Sequence, residues 1–158
     1  MNLKLVIVLF FSLLSFTGFS QCNDALLDSC KTQLGETTYL KHFKVRFSKS
    51  SGKRKPSVAN FSVYLNKGTT YKFTTANDKK QKGRAIIKLY DDFRLYGSNL
   101  NKATDSIAPA FDFVCKKTGI YYLTIRFNKG EAGCAAVMLS MKKRKKKYEN
   151  RISKPENF

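Results

Sequence analysis

The sequence predicts a mostly β protein: an antiparallel β-sandwich of jelly-roll-like build, preceded by a short helix and followed by a disordered basic tail. Two observations carry that reading. Apolar residues alternate with polar ones in a series of short runs, the cleanest being Tyr121, Leu123, Ile125 and Phe127, as expected of half-buried strands. Turn-forming residues separate those runs about every dozen positions, the spacing of a sandwich.

The chain opens with Lys4, an apolar stretch from Val6 to Leu14 broken only by Ser12, and small residues at Gly18 and Ser20. A cationic start, a short apolar core and small residues at the end are the three regions of an export signal. Residues 1–20 are therefore expected to be a signal peptide, cut near Ser20, with the protein secreted, periplasmic or on the cell surface. The apolar core falls short of the roughly 20 residues a spanning helix needs, so an integral membrane protein is not expected.

Residues 21–141 read as one disulfide-stapled domain. Its first element is a helix over 24–34, capped by Asn23 or Asp24, with Leu26, Leu27, Cys30 and Leu34 on one face and Gly35 as its stop. Strands follow: Tyr39 to Phe47; Phe61, Val63 and Leu65; Tyr71 and Phe73; Arg84 to Tyr90; Arg94 to Gly97; Phe111, Phe113 and Cys115; Tyr121 to Phe127; and Cys134 to Met141. Asp91-Asp92, Lys116 to Gly119 and Asn128 to Glu131 read as turns, and Ser98 to Asp105 as a polar loop. Ser48 to Pro56 is a basic loop, and residues 142–158, opening KKRKKK, form the basic tail.

The cysteines, Cys22, Cys30, Cys115 and Cys134, are even in number in a chain bound for an oxidising compartment, which predicts two disulfides. Along a helix, Cys22 and Cys30 stand about 12 Å apart, beyond the reach of about 7 Å that a disulfide allows. Both bridges are then expected to tie the helix to Cys115 and Cys134, in either of the two remaining pairings. Zinc is not expected, because no close pair of cysteines exists and the single histidine, His42, has no ligand partner in the sequence.

From Val58 to Met141 the order of elements resembles the bacterial pre-peptidase C-terminal domain family. Three pieces carry the resemblance: FSVYLNKGTTYKF at Phe61 to Phe73, IIKLYDDFRLYGS at Ile86 to Ser98, and FDFVCKKTGIYYLTIRF at Phe111 to Phe127. It implies a small, non-catalytic secreted sandwich. Gly68 and Gly119 would relieve tight turns while Tyr71 and Tyr121 fill the core beside them. Some members of that family bind calcium, for which Asp91, Asp92, Asp105 and Asp112 are the nearest acids here. They are too few for the six to eight oxygens calcium takes, so no metal or other cofactor is expected.

No phosphate loop, paired-carboxylate motif or metal-ligand signature occurs, and a nucleophile would depend on His42 alone, so catalysis is not expected. Charge is the strongest remaining pointer. Cleavage after Ser20 takes Lys4 and no acid from the 30 basic and 11 acidic residues, leaving a net +18. The expected function is a non-catalytic binding module held electrostatically on anionic polysaccharide, lipopolysaccharide or nucleic acid. Lys53, Arg54 and Lys55 in the loop and Lys142, Lys143, Arg144, Lys145, Lys146 and Lys147 in the tail are its candidate anion-binding residues. The alternative is an accessory subunit docking a protein partner through a sheet edge or the outward face of Tyr122, Thr124 and Arg126, where an aromatic beside a guanidinium can receive a sugar or another chain. The simpler expectation for that face is ordinary solvated sheet or contact with the second layer.

Overall fold

A computed structural model describes residues 22–51 and 55–142; the expected signal peptide, Lys53, Arg54 and the tail from residue 143 onward lie outside the described residues. One helix, α1 (Ala25–Lys31), precedes ten strands: β1 (Thr37–Phe47), β2 (Val58–Leu65), β3 (Thr70–Asn77), β4 (Ala85–Tyr90), β5 (Leu95–Ser98), β6 (Leu100–Asn101), β7 (Ser106–Ile107), β8 (Ala110–Val114), β9 (Gly119–Phe127) and β10 (Gly133–Lys142). Eight of them form two four-stranded antiparallel sheets, ordered β1-β10-β3-β8 (sheet A) and β2-β9-β4-β5 (sheet B). With the small β6–β7 hairpin set aside, consecutive strands cross between the sheets as in a jelly roll, except for β4 and β5, which form a hairpin within sheet B.

Period-two alternation builds the core between the sheets. Sheet A sends in Phe43, Val45, Tyr71, Phe73, Phe113, Val137 and Leu139, and sheet B sends in Val63, Leu65, Ile87, Leu89, Leu123, Ile125 and Phe127. Each fully buried aliphatic side chain contributes about 1.5–3 kcal/mol from removal of apolar surface. The Phe127 ring lies flat against Gly133, where a Cβ would stand 2.4 Å from the ring, so Gly133 is needed for close approach. Tyr71 and Tyr121 fill the core as expected and spend their hydroxyls on nearby turns. Tyr71 accepts the Asn66 N–H at 2.9 Å, and Tyr121 donates to the Lys117 carbonyl at 2.7 Å. Gly68 has φ +79°, a conformation that favours glycine. Gly119 begins β9 opposite Leu65 with open space around its Cα, so the turn-relieving role expected of it is not needed.

At its centre, along β3 and β10, sheet A is buried on both faces and α1 covers the outer one, whereas Tyr39 on β1 and Val114 on β8 are exposed at its margins. Leu26, Leu27 and Leu34 pack with Cys30 against Ala76, Ala136 and Met138; the two alanines leave room for the helix. The expected face is therefore the one used, although the helix is shorter than 24–34. Asn23 Oδ1 accepts the Ala25 N–H at 3.0 Å as its cap, while Asp24 pairs with Lys44 of β1 at 2.8 Å. The Cys22–Cys134 disulfide fixes the start of the helix to β10, its Cα atoms 5.7 Å apart, and Lys72 of β3 donates to the Gln33 carbonyl beyond its end.

The second expected bridge does not form: Cys30 and Cys115 are buried free thiols. Strand parity separates them. Cys115 shares the inward parity of Phe111 and Phe113 and belongs to the core between the sheets, whereas Cys30 lies under the helix against the outer face of sheet A. Burial pushes the Cys30 thiol up to about 11. Burial, followed by the neighbouring Cys115, raises the Tyr121 hydroxyl to about 12.

The segment read as a polar loop, Ser98 to Asp105, holds β6, the turn into β7 just beyond it, and one buried polar residue, Asn99. Asn99 Oδ1 accepts the Ile87 N–H at 2.8 Å, and Nδ2 donates to the carbonyls of Ala85 and Ala108, both at 3.0 Å. A side-chain amide thus stands in for a short piece of strand beside β4. Replacing Asn99→Ala strands two buried backbone groups, the Ile87 N–H and the Ala85 carbonyl, and the part-buried Ala108 carbonyl. With each buried group costing about 1–3 kcal/mol when unpaired, the substitution is expected to lower unfolding stability by about 2–4 kcal/mol in chemical denaturation, and a loss below about 0.5 kcal/mol would contradict this role. A second expectation concerns the thiols. Non-reduced protein should show two thiols per chain that react with an aromatic disulfide reagent only after unfolding, whereas the two-bridge alternative gives none.

Candidate functional site

The outer face of sheet B has no helix over it among the described residues. Alternation along β2, β9 and β4 turns Val58, Asn60, Ser62 and Tyr64, then Ile120, Tyr122, Thr124 and Arg126, then Ile86, Lys88 and Tyr90 to the same side. Register sorts them into rows across the sheet: Tyr64 opposite Ile120, Ser62–Tyr122–Tyr90, Asn60–Thr124–Lys88, and Val58–Arg126–Ile86. Leu95 of β5 continues the second row beside Tyr90. The sequence alone picked out Tyr122, Thr124 and Arg126, and the structure adds Tyr64, Ile120, Tyr90 and Leu95 around them.

Chemistry is graded along this face. One end is aromatic and aliphatic, with Tyr64 66% and Ile120 58% exposed, far more than core-facing residues of the same strands. At that end the β4–β5 turn holds up Phe93, 93% exposed. The other end is cationic, with Lys88 and Arg126 one row apart on neighbouring strands. The four ion pairs among the described residues, Lys31–Asp28, Lys44–Asp24, Lys49–Glu131 and Lys142–Asp112, all lie away from it. Tyr122 is 39% exposed on this face, whereas Ile86 in the Arg126 row is buried.

The β4–β5 turn is rigidly built. Asp91 Oδ1 accepts the backbone N–H groups of Phe93 and Arg94, both at 2.8 Å, and Oδ2 accepts the Tyr96 hydroxyl at 2.6 Å. Tyr96 in turn packs edge-on against Phe113 and Tyr121, and the Arg94 guanidinium lies 4.6 Å from its ring centroid. Donors aimed at the carboxylate, the Tyr96 hydroxyl first, hold Asp91 below its ordinary 3.8.

The remaining candidates are scattered. Lys55 is exposed in its loop, and Lys142 pairs with Asp112, so the only described tail cation is engaged within the fold. Asp91 is committed to its turn and Asp112 to Lys142; among the described residues no three His, Cys, Asp or Glu side chains converge to hold a metal ion. His42 is exposed on β1, on the outer side of sheet A, its Nδ1 2.8 Å from the Tyr39 hydroxyl. An open groove of about 470 Å³ beside the Cys22–Cys134 bridge mixes Arg46, Lys79 and Lys80 with Asp78 and gathers no consistent chemistry. No helix among the described residues is long and apolar enough to cross a membrane.

No protein-family model matches the chain, and neither does any curated protein sequence. Among solved structures it is similar to the crystal structure of Aeromonas hydrophila PliG, a periplasmic lysozyme inhibitor of g-type lysozyme. That similarity has a TM-score of 0.48 and 10% identity, covering 66% of this chain and 88% of the other.

The Asp91 turn yields a pH expectation. A carboxyl whose folded pKa is depressed stabilises the fold above its unfolded value, and that stabilisation is lost as pH falls through the folded value. Substituting Tyr96→Phe removes the largest contributor, so the Asp91 carboxyl should titrate closer to 3.8 in a carbon-detected NMR titration, with weaker order at Phe93 at mildly acid pH. An unchanged Asp91 titration would show that the Tyr96 bond does not set it.

Proposed function

We propose that this protein is an exported, non-catalytic module that docks a protein partner through the outer face of sheet B. One observation carries the reading: the two sheets treat their outer faces differently. A helix, a disulfide and the Asp24–Lys44 pair close the centre of the outer face of sheet A, while sheet B leaves Tyr64, Ile120, Tyr122 and Leu95 exposed, with Phe93 exposed on the adjoining turn. Exposed aromatic and aliphatic residues grouped on a rigid sheet are the usual makings of a docking patch. The single disulfide suits the oxidising compartment that residues 1–20 imply.

Charge specifies the partner's chemistry. Lys88 and Arg126 have no acidic partner in the described residues, and the whole chain carries +19. The complementary surface is an apolar patch with acids on one side, which meet the two cations and steer the encounter. Attachment to a polyanion through the loop and tail gains less support, since Lys142 is paired within the fold.

The test is capture from the producing cell's own extracytoplasmic fraction at low salt and at about 1 M salt, where the screening length shrinks to about 3 Å. Three proteins are compared: the unaltered chain, a Tyr64→Ser, Ile120→Ser, Tyr122→Ser triple variant, and a chain ending at Lys142. A docked protein should survive high salt and tail removal and fall at least tenfold with the triple variant. Capture that ignores the triple variant, or that disappears with salt and with the tail, would overturn the docking reading.

A further inference from the structure

The sandwich has four edge strands, β1 and β8 in sheet A and β2 and β5 in sheet B, and three of them are guarded. An edge exposes unpaired backbone donors and acceptors, which proteins blunt with charge, bulges or shortness. β1 carries Lys41, His42, Lys44 and Arg46 and an irregularity between Tyr39 and Lys41. β5 is four residues long, contains Gly97 and pairs irregularly. β8 is five residues long, with the ion-paired Asp112 at its centre.

β2 has none of these guards. Its eight residues, VANFSVYL, include no charge and no proline, and its register with β9 runs unbroken from Val58 to Leu65. No hydrogen bond from another described element reaches its free side. That side adjoins the docking face directly, because Ser62 and Tyr64 belong to both.

We propose that the free edge of β2 receives an extended segment of a protein partner as a fifth strand of sheet B. A strand added there gains backbone hydrogen bonds along the edge, and its outward side chains extend the rows that hold Tyr64 and Tyr122. Charge selects a foreign segment over a second copy of this chain. Lys55 precedes β2 and Lys67 follows it, both exposed; antiparallel pairing of two copies would set Lys67 of one beside Lys55 of the other and join two strongly cationic chains. The segment that fits is uncharged along its centre, alternates β-branched residues and carries acids at both ends, over about 27 Å for eight residues at about 3.4 Å each. The identity of this segment's owner rests on the docking reading above, whereas the availability of the edge does not.

The probe is a synthetic peptide of alternating Thr and Val with two Asp residues at each end, compared with the same peptide N-methylated throughout its centre so that its donors are lost. Both are added to the isotope-labelled protein from Gln21 to Phe158, and amide hydrogen exchange is read by NMR. The unmethylated peptide should slow exchange at least tenfold at alternate β2 residues, those whose N–H groups point away from β9, and the methylated peptide should not. Absent protection at β2, or equal protection by both peptides, would overturn the proposal. Concentration-dependent protection of β2 without peptide would also overturn it, by making the occupant a second copy. Failure of the edge is separable from failure of the face: an unprotected β2 alongside partner capture that depends on Tyr64, Ile120 and Tyr122 rejects the edge alone, and protection of β2 alongside capture indifferent to those residues rejects the face alone.

Discussion

β10 is apolar or small on both sides, and the rest of the molecule is arranged around that constraint. All eight residues from Gly133 to Ser140 are buried. Alternate residues Ala135, Val137 and Leu139 enter the core between the sheets, which leaves Cys134, Ala136 and Met138 facing outward and in need of cover. α1 supplies the cover. A seven-residue helix is too short to persist unaided in water, so it is held at Cys22–Cys134, at Asp24–Lys44 and by its leucines. In the chain-entropy account a bridge across 112 residues contributes about 4–5 kcal/mol. That bond holds α1 over the centre of sheet A, and among the described residues no helix covers the outer face of sheet B.

Much of this was legible in the residues, because sandwich strands and amphipathic helices follow short periods. Tyr121 to Phe127 and Phe61 to Leu65 alternate cleanly, and the helix face of Leu26, Leu27, Cys30 and Leu34 follows from spacing alone. The same periodicity also held the answer to the disulfides. Cys115 continues the inward parity of Phe111 and Phe113, while a helix ahead of the sandwich packs on an outer face, so Cys30 and Cys115 were on opposite sides of one sheet from the start. Even cysteine count and compartment pointed to two bridges; geometry allows one. Asn99 was not legible: its role depends on reaching Ile87, Ala85 and Ala108 at once, and nothing in a polar run of sequence announces that convergence.

The candidate site was half legible. Parity placed Tyr122, Thr124 and Arg126 on one outward face, but whether anything covers that face depends on where the helix goes. Ile120 follows from the same parity along β9, but Tyr64 joins them only through the β2–β9 register, a long-range pairing that local sequence does not encode. Charge pulled the sequence reading toward the basic loop and tail. Most of that loop and tail lies outside the described residues, while on sheet B a modest cationic end accompanies a large apolar one. In the proposed docking, such a face would give a partner both steering and a desolvated centre.

α1 closes the centre of the outer face of sheet A, and the outer face of sheet B is the one proposed to stay open to a partner. Hydroxyl-radical footprinting measures this directly, by comparing side-chain oxidation rates in the purified protein with those in the producing cell's own extracytoplasmic mixture. Tyr64, Tyr122 and Phe93 should oxidise fast in the purified protein and several-fold more slowly in the mixture, while exposed Tyr39 on β1 should change little. Equal rates at the sheet B aromatics in both settings, or protection centred on Tyr39 and His42, would contradict it.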